Sequence, residues 1–136
     1  CDREALAAIL ASNAAANDLR SYVYASLASR GWFDMVEALA APFASVETAV
    51  DTDCLAWIAA RSHSAKSEQE LRDLCDRALS ALRRFPRNAE LCVLLGRACE
   101  RAYPQEPQRA RACYERALEL GEYGDAAEAA RKALAK

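Results

Sequence analysis

The stretch from Asn88 to Leu120, NAELCVLLGRACERAYPQEPQRARACYERALEL, constrains the fold more than any other part of the chain. It predicts two antiparallel helices joined by a proline-rich turn, since Tyr103-Pro104 cannot continue a helix. In a unit starting at Ala89, residues Cys92, Leu95, Gly96 and Cys99 take positions 4, 7, 8 and 11. Ala110, Tyr114 and Ala117 then follow with the spacing A-x3-aromatic-x2-A. Each type has a packing reason: a small residue lets two helix backbones approach, and the larger ones fill the gap between them. The same register recurs upstream. Pro86 closes a preceding unit, and Leu74, Ala78 and Ala81 fall at its second-helix packing positions. The two registers rest on different residues and agree on a boundary near Arg87 and Asn88. A fainter unit turns at Gly31, with Tyr24 and Leu27 on one helix and Val36, Ala40 and Phe43 on the next.

This pattern resembles the tetratricopeptide repeat, in which W-x2-L-G-x2-Y, A-x3-F and a closing Pro recur in about 34 residues. Cys92 and Cys99 stand here where the family has aromatic residues. The resemblance implies an all-α, TPR-like α-solenoid: a right-handed stack of antiparallel helix pairs in a single domain, 1–136. About three repeats are expected, at 17–50, 51–88 and 89–122. An N-terminal helix, 1–16, and a C-terminal helix, 123–136, would cap the ends of the stack.

The local signals agree. Asp2 can cap a first helix carrying Leu6, Ile9, Leu10 and Asn13, ending near Asn17. A second helix, begun at Asp18 and stopped by Gly31, carries Leu19, Tyr22, Val23, Ser26 and Leu27. Trp32 to Val50 predicts a helix kinked or broken near Pro42, with Val46, Ala49 and Val50 adding a further turn. Asp51-Thr-Asp53 offers caps for a helix with Leu55, Ile58, Ala59 and Ser62 along one side. Ser67-Glu-Gln-Glu70 is a capping box. It opens the most regular stripe in the chain: Leu71, Leu74, Cys75, Ala78, Leu79, Leu82 and Phe85. Asn88 caps the next helix. Asp125-Ala-Ala-Glu128 reads as a cap for the last, whose apolar face is Ala126, Ala129, Ala130, Ala133 and Leu134.

Composition narrows the function classes. Gly and Pro number four each in 136 residues, which favours helix throughout. No apolar run approaches the ~20 residues of a membrane span. A net charge of −2 gives no electrostatic case for nucleic acid. The charge is uneven, with three basic and eight acidic residues in 1–60 but fifteen and twelve in 61–136. The chain starts at Cys1, which reads as a trimmed chain; a lipid-modified N-terminus, lipid-anchored or periplasmic, is the alternative. None of the six cysteines forms a C-x2-C pair. A reduced, cytoplasmic protein is expected.

No phosphate loop, nucleophile elbow or H-E-x-x-H motif is present, so no enzyme is expected. His63, the one histidine, sits beside a predicted loop and reads as a surface residue. Cys92 and Cys99 share a helix face, and with Cys113 they offer three thiols to a metal. All three also fall at packing positions, where cysteine acts as a small hydrophobe. Neither a metal nor a cofactor is expected.

By the resemblance, first helices line a concave, partner-binding face. The positions carried over are Ser21, Tyr22, Ala25 and Ser29, then Leu55, Ala56, Ala59 and His63, then Val93, Leu94, Arg97 and Arg101. Val93 and Ala59 stand where the family's chaperone-tail binders place a polar carboxylate clamp, which argues against that subclass. The remaining mixture suits an extended or helical segment with apolar anchors and an acidic residue. The implied function is a non-catalytic adaptor or chaperone-like domain that binds a protein or peptide segment. In architecture the chain also resembles bacterial secretion chaperones that hold translocator proteins. The alternatives are a cysteine-dependent metal or redox protein, or a structural segment of a larger repeat array. A homo-oligomer is compatible with each of these.

Overall fold

The computed structural model describes residues 17–44 and 51–136, and the described residues form seven helices and no strand. These are α1 (Asn17–Ser29), α2 (Phe33–Ala44), α3 (Asp51–Ser64), α4 (Glu68–Arg84), α5 (Ala89–Ala102), α6 (Pro107–Leu120) and α7 (Asp125–Leu134). The predicted N-terminal helix and the continuation at Val46, Ala49 and Val50 lie outside the described residues. The chain divides into two compact units, Cys1–Ser64 and Ala65–Lys136. The division falls between α3 and α4, inside the span predicted as the second repeat.

In the first unit, α1 stops where the sequence demands. Gly31 has φ 77°, a left-handed conformation that suits glycine. Its N–H donates to the Ala28 carbonyl at 2.9 Å, while the Trp32 N–H reaches the Leu27 carbonyl at 3.1 Å. These crossed bonds satisfy carbonyls that the end of a helix leaves open. Helix α2 runs through Pro42 to Ala44. Pro42 sits in its last turn, so the helix loses one bond there instead of breaking earlier. The buried centre comprises Tyr24, Leu27, Val36, Leu39, Ala40 and Ala60, with Phe33, Phe43 and Trp57 packed against it.

Beside this core lies a buried polar cluster. Arg20 is 4% exposed and Asp53 only 1%. The Arg20 Nε donates to Asp53 Oδ1 at 3.0 Å, and the Tyr24 hydroxyl donates to the same oxygen at 2.9 Å. The Arg20 guanidinium also lies 5.2 Å from the centre of the Phe43 ring. Burial, reinforced by the Asp53 carboxylate, pushes the Tyr24 hydroxyl above its ordinary pKa, so it stays a donor. The sequence offers Asp53 as one of the caps of α3. Its carboxylate is instead turned inward, where a guanidinium and a phenol satisfy it.

The second unit is built from α4 to α7, each packed on the next, with α7 also touching α5. The capping box forms as predicted. Ser67 Oγ accepts from the Glu70 N–H at 3.1 Å, and the Ser67 N–H donates to Glu70 Oε1 at 3.2 Å. Asn88 Oδ1 accepts from the Leu91 N–H at 3.1 Å at the start of α5. The helix residues that set the two registers are buried: Leu74, Ala78, Ala81, Cys92, Leu95, Gly96, Cys99, Ala110, Tyr114 and Ala117, while the closing Pro86 is exposed. Leu79, although on the periodic stripe, is exposed. The last helix starts differently from the expectation. Gly124, at φ 104°, occupies the N-cap, Asp125 is already helical, and no side chain caps the end. The turn is held instead by Arg131 Nη1, which donates to the Glu122 carbonyl at 2.7 Å.

Ser67→Ala is expected to lower stability by ~1 kcal/mol, because it orphans a helix N–H that Ser67 now satisfies. A urea titration followed by circular dichroism measures this. An unchanged midpoint would mean that water replaces the cap without loss.

A candidate binding cleft on the second unit

The cleft owes its shape to Gly96. A Cβ built there would lie 2.7 Å from Cε1 and 2.9 Å from Cζ of Tyr114, closer than carbon atoms pack. The glycine on α5 therefore admits the aromatic ring of α6. Tyr114 is buried, and its hydroxyl donates to Glu100 Oε1 at 2.9 Å. Burial, then that carboxylate, raises the pKa of the phenol, so the ring is fixed as a neutral donor.

Tyr114 thereby helps line a cleft of about 420 Å³. Arg97 and Glu100 supply the α5 wall, while Asp125, Glu128, Ala129, Lys132 and Ala133 supply the α7 wall, with Lys136 beyond. Lys132 Nζ lies 3.3 Å from Glu128 Oε1 across one helical turn. The lining is polar and charged, unlike the mainly apolar walls of small-molecule pockets. A second hollow of about 250 Å³ adjoins it, lined by Tyr103, Pro104, Pro107 and Arg111 together with Tyr114 and Leu134.

Of the twelve residues carried over to a partner-binding face, eight fall in the first unit and four in the second. In the second, Arg97 is exposed and lines the cleft, and Leu94 is half-buried. Val93 is 5% exposed and belongs to the core, so it offers nothing to a partner. Arg101 is exposed, but its Nη2 donates to the Ala65 carbonyl at 2.7 Å, tying α5 to the segment before α4. In the first unit, Tyr22 is 73% exposed, while Leu55 and Ala59 are half-buried. His63 is exposed and stacks on Phe33, with ring centres 3.6 Å apart and planes 8° from parallel. That pair borders a hollow with Gly31, Trp32, Asp34, Met35 and Ser64.

Glu100 and the α7 residues escape the sequence reading. One signal points to Glu100: a buried tyrosine needs a partner for its hydroxyl. Glu100 stands one turn beyond Gly96 on the facing helix. Among the described residues, no group of three or more His, Cys, Asp or Glu side chains is placed to hold a metal ion. No helix among them is long and apolar enough to cross a membrane. Compared with known proteins, the chain matches no family model, no curated protein and no solved structure.

Proposed function

We propose that the chain is a non-catalytic protein-binding module of the TPR-like kind, and that the α5–α6–α7 cleft receives an acidic side chain from a partner segment. The observation that carries this reading is the exposed Arg97 guanidinium at an open, polar cleft. Two of the cleft's carboxylates are engaged elsewhere, Glu100 by Tyr114 and Glu128 by Lys132. A planar guanidinium on an open face suits a carboxylate from a partner well. The adjoining hollow, with its two prolines and Leu134, supplies an apolar anchor point beside the charge. The reading places the protein in the cytoplasm, where its free thiols stay reduced.

The test compares wild type with Arg97→Glu in affinity capture from source-cell lysate. Arg83→Glu, outside the cleft, serves as the charge-matched control. A charge-assisted bond contributes about 1.5–3 kcal/mol. Arg97→Glu should therefore weaken partner recovery by about tenfold or more, with melting unchanged. Arg83→Glu should bind as wild type does. Equal loss in both variants would make the effect one of net charge, and equal recovery in all three would move the site off this cleft.

A further inference from the structure

Aromatic side chains gather at one end of the first unit. The left-handed turn at Gly31 brings the chain from α1 through Trp32 to Phe33, which opens α2. Helices α2 and α3 pack along each other, and the end of α3 returns beside the start of α2. His63, in the last turn of α3, therefore meets Phe33 in the parallel stack at 3.6 Å. Trp32 stands beside them and is 39% exposed, although a ring of that size gains most from being covered. With Met35 and Asp34, these three rings line a hollow of about 420 Å³. Packing of α2 on α3 accounts for Phe33 and His63, and leaves the open indole and the carboxylate beside it without a role.

The lining favours a cation. The face of an aromatic ring carries negative potential and attracts a guanidinium or ammonium placed over it. Asp34 is the only carboxylate in the lining, and no lysine or arginine belongs to it. The start of α2 carries roughly half a positive charge, which the full charge of Asp34 exceeds. Arg61, just before His63 on α3, is balanced by Glu37 at 3.6 Å, with the Ser64 hydroxyl bonded to both. Across the first unit, eight acidic residues outnumber four basic ones. The chain itself shows the contact in question: the Arg30 guanidinium lies 5.3 Å from the centre of the Trp32 ring, although Arg30 does not line the hollow.

We propose that this hollow is a second binding site, opposite in charge preference to the α5–α6–α7 cleft, and that it receives an arginine side chain from a basic partner segment. A flat guanidinium can lie on an aromatic plane and fork to a carboxylate at the same time, which the compact ammonium of lysine cannot. Trp32 and the Phe33–His63 pair supply the planes, and Asp34 supplies the carboxylate. The unbranched Met35 side chain adapts to the stem of the guest.

The probe is the peptide Gly-Ser-Arg-Ser-Gly, blocked at both ends, with citrulline in place of arginine as its neutral isostere. It is titrated into the isotopically labelled full chain and followed by NMR. The Trp32 indole signal and the amides of Gly31, Phe33, Asp34 and His63 should shift together. Citrulline should weaken binding by about tenfold or more, since the bond to Asp34 loses its charge. Trp32→Leu should weaken it by about threefold, the value of one cation–π contact at an exposed site. Asp34→Asn should weaken it by about as much. The citrulline comparison is made on the wild-type chain, so the test survives a variant that fails to fold. Equal affinity for both peptides would overturn the proposal, as would wild-type affinity in both variants or no shift at the hollow with millimolar peptide. Shifts produced by tetramethylammonium chloride but not by the arginine peptide would also overturn it, by making the hollow a site for small cations.

Discussion

Asp53→Ala is expected to destabilise the chain by ~3–5 kcal/mol, the cost of leaving one member of a buried ion pair without its partner. Arg20 and Asp53 are both almost fully enclosed, so water cannot replace what the substitution removes. The Arg20 guanidinium would lose its bond to the Asp53 carboxylate in the interior, and the Tyr24 hydroxyl would lose its acceptor. The loss measures the breaking of a buried pair, not the net value of the pair. Accordingly, Arg20→Met combined with Asp53→Leu should recover most of it, because removing both charges also removes their desolvation penalty. Urea denaturation of the single and double variants decides the matter. A wild-type midpoint for Asp53→Ala would show that Arg20 escapes to solvent, and that the cluster contributes nothing.

Gly96→Leu carries the second large effect. Even the first carbon of the new side chain would lie 2.7 Å from the Tyr114 ring. The ring cannot swing aside freely, since its hydroxyl is bonded to Glu100 and its faces are buried. Overpacking of this kind commonly costs ~1–3 kcal/mol. Helix propensity works the other way, favouring a non-glycine residue by up to ~1 kcal/mol at an exposed site. The steric term should win, and the variant should melt below wild type. Combined with Tyr114→Ala, the two costs should be less than additive, because the clash and the ring disappear together. A Gly96→Leu protein as stable as wild type would mean that α5 and α6 are not held together by this contact.

Features set by short-range spacing are legible in the sequence. Ser67 and Glu70, three residues apart, announce their reciprocal bonds, and Gly31 announces its left-handed turn. Gly96 and Tyr114 can be paired from the spacing of a helical hairpin. Features that depend on distant partners are not legible. Asp53 sits in Asp51-Thr-Asp53, which has the local signature of a helix cap. Its true partner, Arg20, is 33 residues away and leaves no trace in the neighbourhood. Repeat position alone assigns Val93 to an open face, yet α5 is so nearly enclosed that this side chain is buried too. Arg101 looks like a groove residue because long cations usually face water, and it reaches a backbone carbonyl instead.

The binding reading is tested most directly by hydrogen–deuterium exchange on the chain alone and in complex with the partner that Arg97 selects. Added protection should concentrate in Ala89–Ala102 and Asp125–Leu134, the two helices that wall the cleft. Protection confined to Asn17–Ser64, or none in either cleft helix, would contradict the assignment of this cleft as the place where the protein binds.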